Sequence, residues 1–93
     1  MQITFHAEKR EITLRERGLD FADAEKVFSG LVLEVQDDRR DYGETRYQTI
    51  GMLNDDVVML VWTPRGNARH IISMRKCNAK ERKHYEAQIA GSG

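Results

Sequence analysis

Residues 57–63, VVMLVWT, are apolar or β-branched at every position, and no other stretch of the chain constrains its fold as strongly. A short run of this kind, bounded by turn formers, predicts a central strand buried on both faces. The bounds are Asn54-Asp55-Asp56 on one side and Pro64-Arg65-Gly66-Asn67 on the other. Period-two patterns flank it. LVLEV at 31–35 puts Leu31, Leu33 and Val35 on one side, ETRYQTIGML at 44–53 reads as a strand, and RHIISMR at 69–75 reads as the last strand. Loops this short imply antiparallel pairing, because a parallel crossover needs roughly a dozen residues.

Before Leu31 the period is helical. QITFH at 2–6 reads as a short strand, and AEKREITLRER at 7–17 as a helix stopped by Gly18. Asp20 is placed to cap a second helix at 21–28, FADAEKVF, whose Phe21, Ala24, Val27 and Phe28 share a face. Gly30 would end it. QDDRRDYG at 36–43 reads as a charged loop. Asn78 followed by Glu81 is a capping box opening a final helix, which Tyr85 and Ile89 would dock on the sheet. The expected fold class is α+β: two N-terminal helices on a mainly antiparallel sheet, with a C-terminal helix, in one domain over 1–93. Gly91-Ser92-Gly93 reads as a flexible tail.

The chain has 93 residues, 32% of them charged, with 15 bases balancing 15 acids. No apolar run approaches the ~18 residues of a membrane span, and the N-terminus lacks the basic start and apolar stretch of a signal peptide. Cys77 has no cysteine to pair with, which points to a reduced, cytoplasmic protein. The neutrality conceals a division: residues 1–56 hold 13 acids and 8 bases, and residues 57–93 hold 2 acids and 7 bases. Such segregation marks either a polyanion site or charge pairing between the halves.

The basic stretch RHIISMRK carries the candidate residues. Strand alternation would place Arg69, Ile71, Ser73 and Arg75 on one face and His70, Ile72 and Met74 on the other, core-facing one. Arg69 and Arg75 would then stand ~20 Å apart, too far to grip one phosphate but suited to several along a backbone. Lys76 extends that region toward the N-terminus of the last helix. By the same alternation, Glu44 and Arg46 share a face and Tyr47 lies on the other. Tyr42 and Tyr47 beside arginine suit base stacking, while a core Tyr47 and a surface Glu44–Arg46 pair explain the same residues without RNA. His6, His70 and His84 are far apart in sequence and show no metal-ligand spacing, so neither a metal site nor a cofactor is expected. Cys77 and Ser73 lack any nucleophile motif.

Several segments, taken in order, resemble the BrnT family of type II toxins. They are GLDFADAEKVF at 18–28, DRRDYGETR at 38–46, Ile50-Gly51, and the RxIISxRK ending through Glu81, Arg82 and Tyr85. The resemblance implies a ribonuclease toxin of RelE-like fold that blocks translation by cutting RNA. It also implies a BrnA-like antitoxin with a ribbon-helix-helix region, operator DNA being reached only through the toxin–antitoxin complex. The family's opening Trp-Asp pair, its first-helix Asn and the Lys-His before the glycine are replaced by Phe5-His6, Thr13 and Glu16-Arg17. No acid–base role is therefore carried over to Arg17.

The activity expected on this basis is metal-independent endoribonuclease chemistry. Arg65, Arg69 and Arg75 would neutralise charge growing on phosphorus. Glu44 is slightly preferred to His70 as general base, because His70 is assigned to the core face. Arg46, Tyr42, Tyr47, Ser73 and Lys76 would bind RNA. Two other classes use the same basic face: a non-catalytic nucleic-acid-binding module, and a protein-interaction module holding an acidic partner.

Overall fold

The computed structural model describes residues 1–91. In chain order the elements are β1 (Gln2–Phe5), α1 (Ala7–Arg17), a 3₁₀ turn (Phe21–Asp23), α2 (Ala24–Phe28), β2 (Leu33–Gln36), β3 (Tyr47–Leu53), β4 (Asp56–Arg65), β5 (Ala68–Lys76) and α3 (Ala79–Gly91). Gly91, expected to begin a tail, is the last residue of α3, and residues 92 and 93 of that tail lie outside the described residues.

The architecture is α+β, as expected. The five strands form one sheet in the order β1-β5-β4-β3-β2, antiparallel throughout except for the parallel pair β1–β5. β4, the apolar run, is central. Its Val58, Leu60 and Trp62 face one core, built with Leu19 after α1 and with Phe21, Ala24 and Val27 from the 3₁₀ turn and α2. Val57 and Met59 face the other, closed by Cys77 and by Tyr85 of α3. Burying each of Phe21, Leu60, Ile71 and Met74, all fully enclosed, is worth about 1.5–3 kcal/mol.

Local signals end the helices where chain chemistry requires. Gly18 takes the left-handed conformation (φ 68°) that closes α1, its N–H donating to the Leu14 carbonyl. Asp20 accepts from the Ala22 N–H at 2.9 Å and from Arg10 at 2.7 and 2.9 Å, tying α1 to the 3₁₀ turn. At α3 the capping box is complete: the Glu81 N–H donates to Asn78 Oδ1 at 2.8 Å and the Asn78 N–H to Glu81 Oε1 at 2.9 Å. The Tyr85 hydroxyl then donates to the Leu31 carbonyl at 2.8 Å, pinning α3 to the chain entering β2.

One irregularity controls the functional geometry. Val61 pairs with Ser73, but the next residue, Trp62, pairs with Ile71, so Ile72 is the extra residue of a β-bulge. A single inserted residue inverts side-chain parity. Arg69 and Ile71 therefore lie on the Trp62 face, whereas Ser73 and Arg75 lie on the opposite, Met59 face. The shared face expected for these four residues does not exist. Met74 is core, as expected, but His70 is not. β1 pairs with β5 only as far as Ile71. Beyond that point α1 attends the edge, with Lys9 Nζ 3.5 Å from the Ile72 carbonyl and Arg17 Nη1 2.9 Å from that of Met74.

Candidate active site

The chemistry gathers where the β4–β5 hairpin, the start of α1 and the 37–46 loop meet. The loop is charged but not loose. Asp37 is buried and accepts from Arg39 at 2.7 and 2.9 Å and from the Tyr42 hydroxyl at 3.3 Å. Its own N–H donates to the Arg46 carbonyl at 2.7 Å, closing the loop at its neck. The Arg39 guanidinium, with the backbone N–H of Arg39 and the Tyr42 hydroxyl, holds the Asp37 carboxyl at a pKa of about 2 despite burial.

Glu44 and Arg46, expected in a strand, lie in this loop, because β3 begins only at Tyr47. They remain adjacent: Arg46 Nε is 3.3 Å from Glu44 Oε2, and its guanidinium sits 4.0 Å over the Tyr42 ring. The other Glu44 oxygen is 3.7 Å from Arg65 Nη2. The Thr63 hydroxyl donates to the Thr45 carbonyl at 2.6 Å, fastening the loop to β4. One carboxylate thus holds two guanidiniums at the hairpin end.

His70 completes the group. It lines one open cleft of about 410 Å³ with Glu44, Arg46, Arg65, His6 and Lys9. Its Nδ1 lies 2.9 Å from the Thr4 hydroxyl of β1, and Nε2 has no partner among the described residues. Burial, then the charge of Arg65, lowers its pKa from the ordinary 6.5, with Lys9 and His6 adding and Glu44 opposing. At neutral pH the ring is uncharged and can exchange a proton through Nε2. A larger depression of about 760 Å³ beside Ile3 and Phe5 has Glu25 as its sole charged side chain, so the ionisable chemistry belongs to the smaller cleft.

The structure brings Glu44, Arg46, Arg65 and His70 together, with Tyr42 beside Arg46, and leaves the other candidates elsewhere. Arg75 is committed to Glu81 at 2.7 and 2.8 Å, which raises its pKa and holds that of Glu81 at about 2. Lys76 pairs with Asp56 at 3.5 Å. Ser73 lines a separate depression with Thr13 and Arg17 of α1. Tyr47 packs on Trp62 with ring centroids 5.0 Å apart, on the core side of the sheet. Tyr42 borders the cleft through its stack on Arg46. Arg69 stacks on Phe28 and Trp62 on the face opposite His70. Burial raises the Cys77 thiol pKa, which suits a packing role.

His6 and Lys9 join the cleft although neither is a site candidate from the sequence, and two histidines far apart in sequence, His6 and His70, line one cleft. The cause is the parallel pairing of Thr4 with His70, which brings residues separated by most of the chain side by side. No local pattern announces such a pairing.

A comparison with curated protein sequences finds no match. A family model described as "Ribonuclease toxin, BrnT, of type II toxin-antitoxin system" matches residues 5–81, a span containing every side chain of the cleft. The chain belongs to the BrnT family of ribonuclease toxins of type II toxin–antitoxin systems.

Proposed function

We propose that the His70 cleft is the active site of a metal-independent endoribonuclease that inhibits translation by cutting RNA. The convergence of a neutral histidine with two arginines in one open cleft supports this reading most directly. Nε2 of His70 accepts the proton of a ribose 2′-OH, whose oxygen attacks the adjacent phosphorus. Arg46 and Arg65, held side by side by Glu44, neutralise the charge that accumulates on the phosphoryl oxygens. The bond from phosphorus to the 5′ oxygen breaks, and that oxygen takes a proton from His6 or Lys9 across the cleft. The products are a 2′,3′-cyclic phosphate and a 5′-OH.

Glu44 is reassigned in this scheme. Both of its oxygens face guanidiniums, at 3.3 Å from Arg46 and 3.7 Å from Arg65, so its work is to orient the arginines. Tyr42, stacked on Arg46, offers a ring at the cleft margin for a base. In the cell, a BrnA-like ribbon-helix-helix antitoxin would neutralise the protein, and operator DNA would be reached only through that complex. A five-stranded sheet flanked by helices suits the RelE-like fold that the family resemblance implies.

The test is cleavage of labelled RNA by purified protein in EDTA, with the new ends identified. Cyclic-phosphate and 5′-OH ends formed in EDTA are expected. Cleavage that requires added divalent ions, or that leaves 5′-phosphate ends, would overturn the mechanism. Tight RNA binding without cleavage, even when ribosomes are added, would replace it with a non-catalytic binding role.

A further inference from the structure

Four arginines are half-buried, and three of them face a carboxylate: Arg10 faces Asp20, Arg46 faces Glu44, and Arg75 faces Glu81. Arg69 is the fourth. Among the described residues its guanidinium makes no ion pair and no hydrogen bond, and its buried Nε has no acceptor. Two rings hold it instead, Phe28 at 4.0 Å and Trp62 at 5.3 Å from the guanidinium carbon. Stacking fixes the side chain and compensates part of its desolvation, but it leaves hydrogen-bond capacity unused. The Nε–H is closed to solvent, but the terminal nitrogens of the guanidinium are not among the buried unpaired atoms and keep donors open to the surface. A cation that is fixed, partly desolvated and unneutralised is prepared for an anion from outside.

The position of Arg69 indicates which anion. It precedes His70 in β5 and points to the opposite face of the sheet, at the same hairpin end. Arg65, exposed and paired across the hairpin with Ala68, lies on the His70 face as the last residue of β4 before the turn, at the end where Arg69 projects on the other face. Arg46, Arg65 and Arg69 thus bring positive charge from the His70 cleft around the hairpin to the Phe28 side. Phe28 and Tyr47, both half-buried, border the far end of this path. Spaced cations beside aromatic rings match the alternating phosphates and bases of a single strand better than they match isolated carboxylates.

We infer that Arg69 binds an RNA phosphate other than the one being cleaved, so that the substrate passes over the β4–β5 hairpin from the His70 face to the Phe28 face. This rests on the ribonuclease reading above and adds to it a subsite outside the reacting atoms. Arg69 is accordingly a binding residue, not a catalytic one.

Binding of a non-cleavable 2′-O-methyl oligonucleotide, measured over a range of salt concentrations, tests it. Relative to wild type, Arg69→Gln is expected to weaken binding about tenfold or more. It should also flatten the slope of log affinity against log salt by ~0.7, the share of one phosphate on a single strand. Arg69→Lys should keep the wild-type slope. A second measurement needs no variant: the NMR signal of the Arg69 Nε–H in wild-type protein should shift with the oligonucleotide and stay in place with a dinucleotide. Equal slopes for wild type and Arg69→Gln, or an unmoved Nε–H signal, would overturn the subsite alone. So would unchanged RNA binding with lost affinity for an acidic protein partner. Failure of the wild-type protein to bind the oligonucleotide at all would instead overturn the ribonuclease reading.

Discussion

The hydroxyl of Thr4 lies 2.9 Å from Nδ1 of His70, joining the edge strand β1 to the cleft across the parallel strand pair. One ring nitrogen is engaged and oriented by this contact, and the other is left for chemistry. Fixing a histidine through one nitrogen so that the second can exchange protons is a common way to set its tautomer.

The state of that ring predicts a pH profile. A general base works deprotonated, so the acid limb of the rate profile rises with pH through its pKa. Burial and the neighbouring Arg65 lower the His70 pKa from 6.5, which places the midpoint of the rise on the acid side of that value. Cleavage rates under single-turnover conditions should therefore rise with a midpoint below pH 6.5. A rise centred above 6.5 would show that another group is the base.

Glu44→Gln separates orientation from proton transfer. The change removes a negative charge from the cleft and loosens its hold on Arg46 and Arg65. RNA should bind more tightly, lowering KM, while misplaced arginines lower kcat by roughly 10–100-fold, less than the ~10²–10³-fold lost when a transition-state donor is removed outright. If Glu44 were the base, kcat would fall further and the acid limb of the pH profile would disappear.

Gly51→Ala tests the packing of α2 on β3. A Cβ at residue 51 would stand 2.9 Å from Val27 Cγ1 and 3.1 Å from Val32 Cγ1. Both are short, branched side chains with little freedom to move away. Chemical denaturation should show a loss of about 1–3 kcal/mol, the usual cost of overpacking. An unchanged midpoint would mean that α2 shifts freely on the sheet.

Much of this fold is legible in the sequence because its signals are local. Gly18 ends α1, Asn78 and Glu81 begin α3, and VVMLVWT lies at the centre of the sheet, each where backbone or burial chemistry requires it. The site is less legible because two non-local events build it. The bulge at Ile72 falls within an apolar, β-branched run that shows no break in pattern, yet it separates Arg69 from Arg75 and leaves His70 outside the core. The pairing of β1 with β5 brings His6 and Lys9 to the cleft through a register that residues 2–6 do not encode by themselves. Glu44, Arg46 and Arg65 were recognisable as chemistry-bearing residues, but their convergence depends on where β3 starts.

Two depressed carboxyl groups predict the acid stability of the fold. Asp37, paired with Arg39, and Glu81, paired with Arg75, each have a pKa of about 2, against ordinary values of 3.8 and 4.5. Between those values and about 2 the unfolded chain binds more protons than the folded one, so stability falls as pH falls. Their contribution is fully present above the ordinary values and is lost as pH drops through about 2. An Asp37→Asn/Glu81→Gln variant should be less stable at pH 7 and show a shallower decline below pH 4.5. An unchanged decline would assign acid sensitivity to other groups.

The most direct measurement is cleavage of one labelled RNA by wild type and by His70→Gln, whose thermal unfolding confirms that it is folded. Glutamine keeps a polar side chain of similar reach but cannot take the 2′-OH proton. Cleavage should fall by about 10²–10⁴-fold, the usual contribution of a general base. Wild-type cleavage by the folded variant would contradict the assignment of the active site to the His70 cleft.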